Sequence, residues 1–194
     1  MYSKAKISNH PIHPMLVAFP IAFYTATVAA YAYYGFGGNN LFWFQLGYVA
    51  NIAGIVTALI AAVPGFIDWA AGIPNETAAK RTGWTHMLLN VSALVLFGIS
   101  AWLSYAELGA FLPNVGWQIA LGVIGLGMTM TAGFYGWELI GTHHVGVEGQ
   151  VEKALEIPDE SIRLQTAMKE FPHVKSLRTE TKHNSDIQNQ VNRM

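Results

Sequence analysis

The sequence predicts an all-α integral membrane protein, a four-helix up-down bundle followed by a polar C-terminal tail. The chain has 194 residues, of which 52% are hydrophobic and 12% charged, whereas a soluble domain carries about 25% charged residues. Asp, Glu, Lys and Arg are absent from three long stretches, 7–67, 82–106 and 108–137. Since a membrane-spanning helix needs about 20 apolar residues, the first stretch accommodates two spans and the other two accommodate one each.

Short connections separate the four predicted spans. We place the spans at 15–34, 41–67, 85–105 and 115–140. The Gly and Asn residues of 35–40 predict a turn, and Pro113 lies near the start of the fourth helix, where proline is favoured. The apolar runs lack the alternation of β-strands and far exceed strand length, so soluble strands are a poor alternative.

The composition changes after Val147 and divides the chain into two regions. We predict a transmembrane domain at 8–147 and a cytoplasmic tail at 148–194. Within the tail, 151–157 and 161–171 have the pattern of short amphipathic helices. The last fifteen or so residues have the composition of a disordered segment.

The placement of the basic residues predicts the orientation in the membrane. An even number of spans puts both termini on one side, and all 11 Lys and Arg residues fall on that side, which we call the basic side. The positive-inside rule makes the basic side cytoplasmic. The first span is too long for a signal peptide and lacks a small-residue cleavage site, so we expect it to remain as a signal anchor.

Small residues recur along the second and fourth spans. The repeated positions are Ala53, Thr57, Ala61 and Gly65 in the second span, and Gly116, Ala120, Ala132 and Gly136 in the fourth. Such faces let helices pack closely in lipid, which also makes an oligomer conceivable. A helix face that lies beside a flat cofactor would show the same repeat of small residues.

Five of the seven histidines fall at membrane boundaries on the basic side. They are His10, His13, His86, His143 and His144. Asp68 ends the second span and Glu138 lies near the end of the fourth, so each helix brings at least one potential ligand to one end of the bundle. Taken singly, each histidine is explained by solvation or capping, and Trp69, Trp84 and Trp137 by the interfacial belt of aromatic residues. Their convergence favours a metal or haem site, because ionisable groups at membrane depth are costly and mark function.

Several other classes of function have little support in the sequence. The chain has no cysteine, which excludes disulfides, thiolate metal sites and cysteine-linked haem. It has no nucleophile motif for a hydrolase or transferase and no basic patch for nucleic acid. Transport is disfavoured because no ionisable residue lies at mid-membrane and no span is visibly broken there.

Motifs at both ends of the predicted bundle resemble those of a known family. They are His10-Pro11-Ile12-His13-Pro14 with Leu16 and Phe19-Pro20, Gly65-x-x-Asp68-Trp69, His86, and His144-x-Gly146-Val147. The resemblance is to a bacterial family of predicted four-helix membrane proteins catalogued as a domain of unknown function, and it covers about 8–147. It implies this fold in a bacterial inner membrane. Family members commonly read His-Gly-Val-Gly-Val at the closing motif, so either His143 or His144 is the equivalent histidine. Relatives joined to Rieske-type or cytochrome-type domains suggest electron transfer.

The first functional hypothesis is a b-type haem protein that exchanges electrons with a quinone or a partner protein. Two neutral imidazoles are the usual axial pair of an electron-transfer haem, and helix bundles hold cofactors between facing helices. The first span lies diagonally opposite the third, so His13 with His86 is the preferred pair and His10 with His144 the second. Asp68 or Glu138 would orient a ring. The basic residues proposed to neutralise the propionates are Lys4, Lys6, Lys80 and Arg81.

Two further hypotheses remain open at this point. In the second, a non-haem Zn, Fe or Cu ion binds directly to several side chains, and nitrogen and oxygen ligands do not choose among these metals. Its ligands would be His10, His13, His86, one of His143 and His144, and Asp68. In the third, the protein is a structural or assembly subunit of a larger membrane complex, and the histidines only bond the interfacial backbone.

Overall fold

A computed structural model describes residues 3–8, 10–38, 40–146 and 169 of the chain. The elements in chain order are β1 (Lys6–Ile7), β2 (His10–Pro11), α1 (Ile12–Leu16), α2 (Ala18–Gly37), α3 (Leu41–Ile67), a π-helical turn (Asp68–Gly72), α4 (Ala78–Ala106) and α5 (Gly116–Gly141). Within these described residues, four helical stretches are long and apolar enough to cross a membrane. The predicted all-α, four-helix class is therefore confirmed. The two tail helices predicted at 151–157 and 161–171 lie outside the described residues.

Polar side chains start the middle helices where the sequence places turns. The Asn40 side chain accepts a hydrogen bond from the backbone N–H of Phe42 at 2.9 Å and caps α3. Thr77 caps α4 in the same way by accepting from the N–H of Lys80 at 3.1 Å. α2 ends at Gly37. The next residue, Gly38, caps the helix with a φ of 115°, the left-handed conformation that glycine adopts without strain.

Prolines shape the basic-side ends of the first two spans. Pro20 has no N–H to offer the carbonyl of Leu16, which explains the break at Val17 between α1 and α2. Pro64 lies inside α3 and likewise removes one helical bond. The π-helical turn follows four residues later, in keeping with the association of wide turns with interrupted helical bonding. Both spans are longer than predicted. With α1 included the first runs over Ile12–Gly37, and with the π-helical turn included the second runs over Leu41–Gly72.

The four long helices pack in the cyclic order α2, α3, α4, α5. This order makes α2 and α4 diagonal neighbours, and their side chains meet in the core of the bundle. The rings of Tyr24 and Phe97 stack with their centroids 3.7 Å apart. The hydroxyl groups of Tyr31 and Ser104 lie 2.6 Å apart. Many large apolar side chains face outward instead, as helices surrounded by lipid require.

Candidate functional site: a histidine pair at the basic end of the bundle

His13 lies in α1 and is held against the basic-side end of α3. Its Nδ1 lies 2.8 Å from the carbonyl oxygen of Ala61. A carbonyl only accepts hydrogen bonds, so Nδ1 carries the proton and Nε2 of the neutral ring keeps its lone pair. Gly65 makes this approach possible, because a Cβ added there would lie 2.7 Å from Nδ1.

His86 lies in α4 and makes the corresponding contacts with α5. Its Nδ1 lies 2.7 Å from the carbonyl oxygen of Ala132, and a Cβ added at Gly136 would lie 3.2 Å from its ring. The same reasoning places the proton on Nδ1 and the lone pair on Nε2. That lone pair faces the side-chain amide of Asn90, whose Nδ2 lies 3.2 Å from Nε2 and also donates to the His86 carbonyl at 2.9 Å.

The two imidazoles meet across the diagonal of the bundle. Their ring centroids are 6.0 Å apart and the ring planes are perpendicular, at 89°. Two opposed imidazoles on one metal ion have centroids about 6 Å apart, given metal–nitrogen bonds of about 2.0 Å and ring radii of about 1.1 Å. The centroid spacing is therefore that of two imidazoles on one metal ion, while Nε2 of His86 faces Asn90. Both rings are half-buried, so the pair is within reach of the basic-side surface.

The other histidines make separate local contacts. His10 is exposed, with Nδ1 2.9 Å from the carbonyl oxygen of Ser8. His143 lies with Nε2 3.4 Å from the Thr82 hydroxyl and 3.8 Å from a Glu138 carboxylate oxygen. His144 is exposed and has a left-handed φ of 52°. None of these contacts joins His10 to His144.

Asp68 is engaged with the N-terminal segment. One carboxylate oxygen accepts from the backbone N–H groups of Lys4 and Ala5, at 2.6 and 2.9 Å, and the other accepts from the Ser3 hydroxyl at 2.8 Å. Backbone carbonyls, in place of Asp68 or Glu138, orient the paired rings. Within 3–8, 10–38, 40–146 and 169, no three His, Asp or Glu side chains gather as a metal-ligand set.

Trp69 and Lys80 form a structural contact beside the site. The Lys80 ammonium lies 4.2 Å from the centre of a Trp69 ring and donates to the carbonyls of Trp69 and Ile73. The Trp69 indole donates to the Lys80 carbonyl at 3.3 Å and lies against Gly83. Lys80 is thus engaged in hydrogen bonds that stabilise the end of the π-helical turn. Trp84 and Trp137 are exposed, as residues of an interfacial belt would be.

The two histidine environments repeat one another, a feature that sequence reasoning missed. The α4 residues His86, Phe97 and Ser104 each lie 73 positions after their α2-side counterparts His13, Tyr24 and Tyr31. The α5 residues Gly125, Ala132 and Gly136 each lie 71 positions after Gly54, Ala61 and Gly65. Tyr24 lies against Gly54 as Phe97 lies against Gly125. The bundle is therefore two similar helical hairpins about an approximate two-fold axis.

The comparisons with known proteins agree with this architecture at the level of the family. Residues 9–149 match the family described as "Predicted membrane protein (DUF2231)". No curated protein and no solved structure shows significant similarity to the chain. The matched region contains all four long helices, both paired histidines and the Gly65-x-x-Asp68-Trp69 motif. The chain is therefore a member of this family of predicted membrane proteins.

Proposed function

We propose that the protein is a membrane-embedded electron-transfer protein that holds a b-type haem between His13 and His86. The observation that carries the proposal is the pair itself, two imidazoles 6.0 Å apart with their Nδ1 atoms bonded to backbone carbonyls. Bound haem would supply one-electron redox chemistry at its iron. A quinone or a partner protein would exchange the electron.

The number of assembled ligands favours haem over a directly bound metal ion. Zinc and similar ions in proteins take three or four protein ligands, and within the described parts of the chain no such set gathers. Haem iron needs only two axial ligands from the protein, because the porphyrin fills its other positions. His13 and His86 would supply these two ligands.

The surrounding residues would prepare the imidazoles for ligation. The carbonyls of Ala61 and Ala132 keep the protons on Nδ1 and fix the ring orientations. Asn90 would have to release Nε2 of His86, which it contacts at 3.2 Å. Lys4, Lys6 and Arg81 are exposed and are the candidates for pairing with propionates, since Lys80 is engaged with Trp69.

The test is a reduced-minus-oxidised visible spectrum of the detergent-purified protein, with elemental analysis of the same sample. We expect sharp Soret and α bands and about one iron per chain. His13→Ala and His86→Ala should each reduce the haem content to below about a tenth, because each removes one of two axial ligands. The matched control is His10→Ala, which changes an exposed histidine in the same motif and should retain the haem.

Other outcomes would overturn the proposal. A featureless spectrum with zinc, copper or iron bound would indicate direct coordination by histidine. A protein free of metal after purification in the presence of added haemin would favour a structural subunit. Normal haem content in both His13→Ala and His86→Ala would remove the pair from the site.

A further inference from the structure

The residues that precede His13 form a short structure that we call the N-terminal strap, residues 3–8 and 10–11. In the strap, β1 and β2 pair antiparallel, with Lys6 opposite Pro11 and Ile7 opposite His10. The N–H of Ile12, the first residue of α1, donates to the carbonyl of Ala5 at 3.0 Å. The strap therefore fixes the start of α1, and His13 is the second residue of that helix.

Asp68 anchors the strap to the end of α3. Its carboxylate accepts three hydrogen bonds, from the hydroxyl of Ser3 and from the N–H groups of Lys4 and Ala5. Ser3 is 5% exposed, whereas the bond from the Lys4 N–H is exposed, so the anchor is buried only at its Ser3 end. Hydrogen bonds to a charged carboxylate are the strong kind, and they concentrate here on three consecutive residues.

The anchor and the contacts of His13 occupy the same face of the second span. Ala61 accepts the Nδ1 proton of His13, Gly65 leaves room for its ring, and Asp68 holds the strap. The intervals of four and three residues place these positions on one helix face over two turns. α3 thus holds His13 in two ways, directly at the ring and through the strap at the backbone.

We propose that Asp68 is a positioning residue for His13, acting through the N-terminal strap and not as a ligand. Without the anchor, α1 would lose one of its two attachments to α3, and the remaining one, the Nδ1 bond to Ala61, would open more often. The proposal rests on the proposed function, since a positioning role has meaning only if His13 is a ligand. It assigns a role to the acidic residue of the Gly65-x-x-Asp68-Trp69 motif.

His86 provides an internal reference, because its environment has no such strap. It lies within α4, eight residues after the first residue of that helix, and its nearest polar side chain contact is Asn90 in the next turn. A change that acts through the strap should therefore affect His13 and spare His86. A change that loosens the whole bundle should affect both.

The experiment measures hydrogen exchange of the Nδ1–H groups by NMR on full-length protein labelled with ¹⁵N-histidine, in lipid nanodiscs without added haemin. The two signals are assigned from His13→Ala and His86→Ala. The variants are Asp68→Asn, which keeps the shape and removes the charge, and Asp68→Ala, which removes the acceptors. The control is Glu76→Gln, which neutralises an exposed carboxylate on the basic side.

We expect Asp68→Asn and Asp68→Ala to speed the exchange of the His13 Nδ1–H at least tenfold, with the His86 rate unchanged and Glu76→Gln like the parent. An unchanged His13 rate in both variants would overturn the proposal, and so would equal acceleration at both histidines. Haem content is measured separately. Selective exchange at His13 in a protein that never binds haem would support the positioning contact and overturn the proposed function alone.

Discussion

At the scale of single residues, glycines decide how closely the histidines approach the neighbouring helices. Gly65 and Gly136 occupy equivalent positions in the two hairpins, but the space between each glycine and its neighbouring histidine ring differs. An added Cβ would lie 2.7 Å from the His13 ring at Gly65 and 3.2 Å from the His86 ring at Gly136. The first distance forces a displacement, whereas the second needs only a few tenths of an ångström.

We therefore predict that Gly65→Ala disturbs the site and Gly136→Ala does so much less. Overpacking of this kind costs about 1–3 kcal/mol, so Gly65→Ala should weaken haem binding by about tenfold or more. Gly127→Ala is the matched control, because nothing lies within 4 Å of the added Cβ there. Haem titration of the three purified variants measures the effect. Equal affinity in Gly65→Ala and Gly127→Ala would contradict the close contact.

At the residue scale, the sequence indicated that His13 and His86 lie near each other, whereas their pairing as ligands stays a prediction. The diagonal arrangement of spans identified His13 with His86 as the preferred pair, and the structure brings their rings together. The partners of Nδ1 were not predictable in this way. They are the backbone carbonyls of Ala61 and Ala132, and every residue has a carbonyl, so no residue type marks the position. Asp68 was predicted to orient a histidine ring, but its carboxylate accepts hydrogen bonds from Ser3, Lys4 and Ala5 of the N-terminal strap.

At the scale of secondary-structure elements, hydrophobic length predicted the four helices well and their ends less well. Spans predicted at 15–34 and 41–67 extend to Ile12–Gly37 and Leu41–Gly72. On the basic side, the extensions 12–14 and 68–72 are separated from Pro20 and Pro64 by a few residues, over which the local bonding changes without ending the span. The composition of the sequence reports apolar length, whereas the break at Val17 and the π-helical turn depend on individual backbone bonds.

A hydrogen bond between diagonal helices gives a test of element packing. Ser104 Oγ donates its proton to the Ser100 carbonyl at 2.8 Å, so the Tyr31 hydroxyl must be the donor in the 2.6 Å contact with Ser104. Both side chains are buried. The contact therefore ties α2 to α4 through a defined donor and acceptor.

We predict that Ser104→Ala destabilises the bundle more than Tyr31→Phe does. Interhelical hydrogen bonds in membranes contribute about 0.6 kcal/mol on average, but Ser104→Ala also leaves the buried Tyr31 hydroxyl without its acceptor. The double variant should recover part of that loss. The free energy of unfolding in bicelles, measured for all four proteins of the cycle, gives the coupling. Strict additivity would show that the contact contributes nothing.

At the scale of the whole molecule, the sequence predicts orientation through its basic residues. The basic residues of the bundle, Lys4, Lys6, Lys80 and Arg81, fall at the end that also carries the histidine pair, whereas the loops around Phe36 and Phe111 have none. These two aromatic residues are 85% and 95% exposed. The absence of cysteine from the chain makes single-cysteine labelling a clean measure of sidedness.

We predict that Phe36→Cys and Phe111→Cys react with a membrane-impermeant maleimide in intact bacterial cells. Glu76→Cys, in the loop on the basic side, should react only after the membrane is permeabilised. The reason is the positive-inside rule, which keeps the basic loops in the cytoplasm. Labelling at Glu76→Cys alone in intact cells would reverse the orientation and place the histidine pair on the outer side.

The approximate two-fold repeat of the whole bundle was present in the sequence but not visible as similarity of residue types. Tyr24 corresponds to Phe97 and Tyr31 to Ser104, so the repeat preserves position and packing more than chemical identity. Among the residues that make the repeated contacts, Gly54 with Gly125, Gly65 with Gly136, Ala61 with Ala132 and His13 with His86 are identical. The contacts are what reveal the repeat, because each glycine is explained by the ring that lies against it.

The repeat also sets the order in which the site is completed during synthesis. Everything that holds His13, namely Ala61, Gly65 and Asp68, has left the ribosome with the first helical hairpin. The acceptor for His86 is Ala132, near the end of the second hairpin. Each half thus forms its own contacts as its part of the single nascent chain emerges, before the two halves meet in the bilayer. Cofactor loading would therefore come last, after translation has passed the fourth helix.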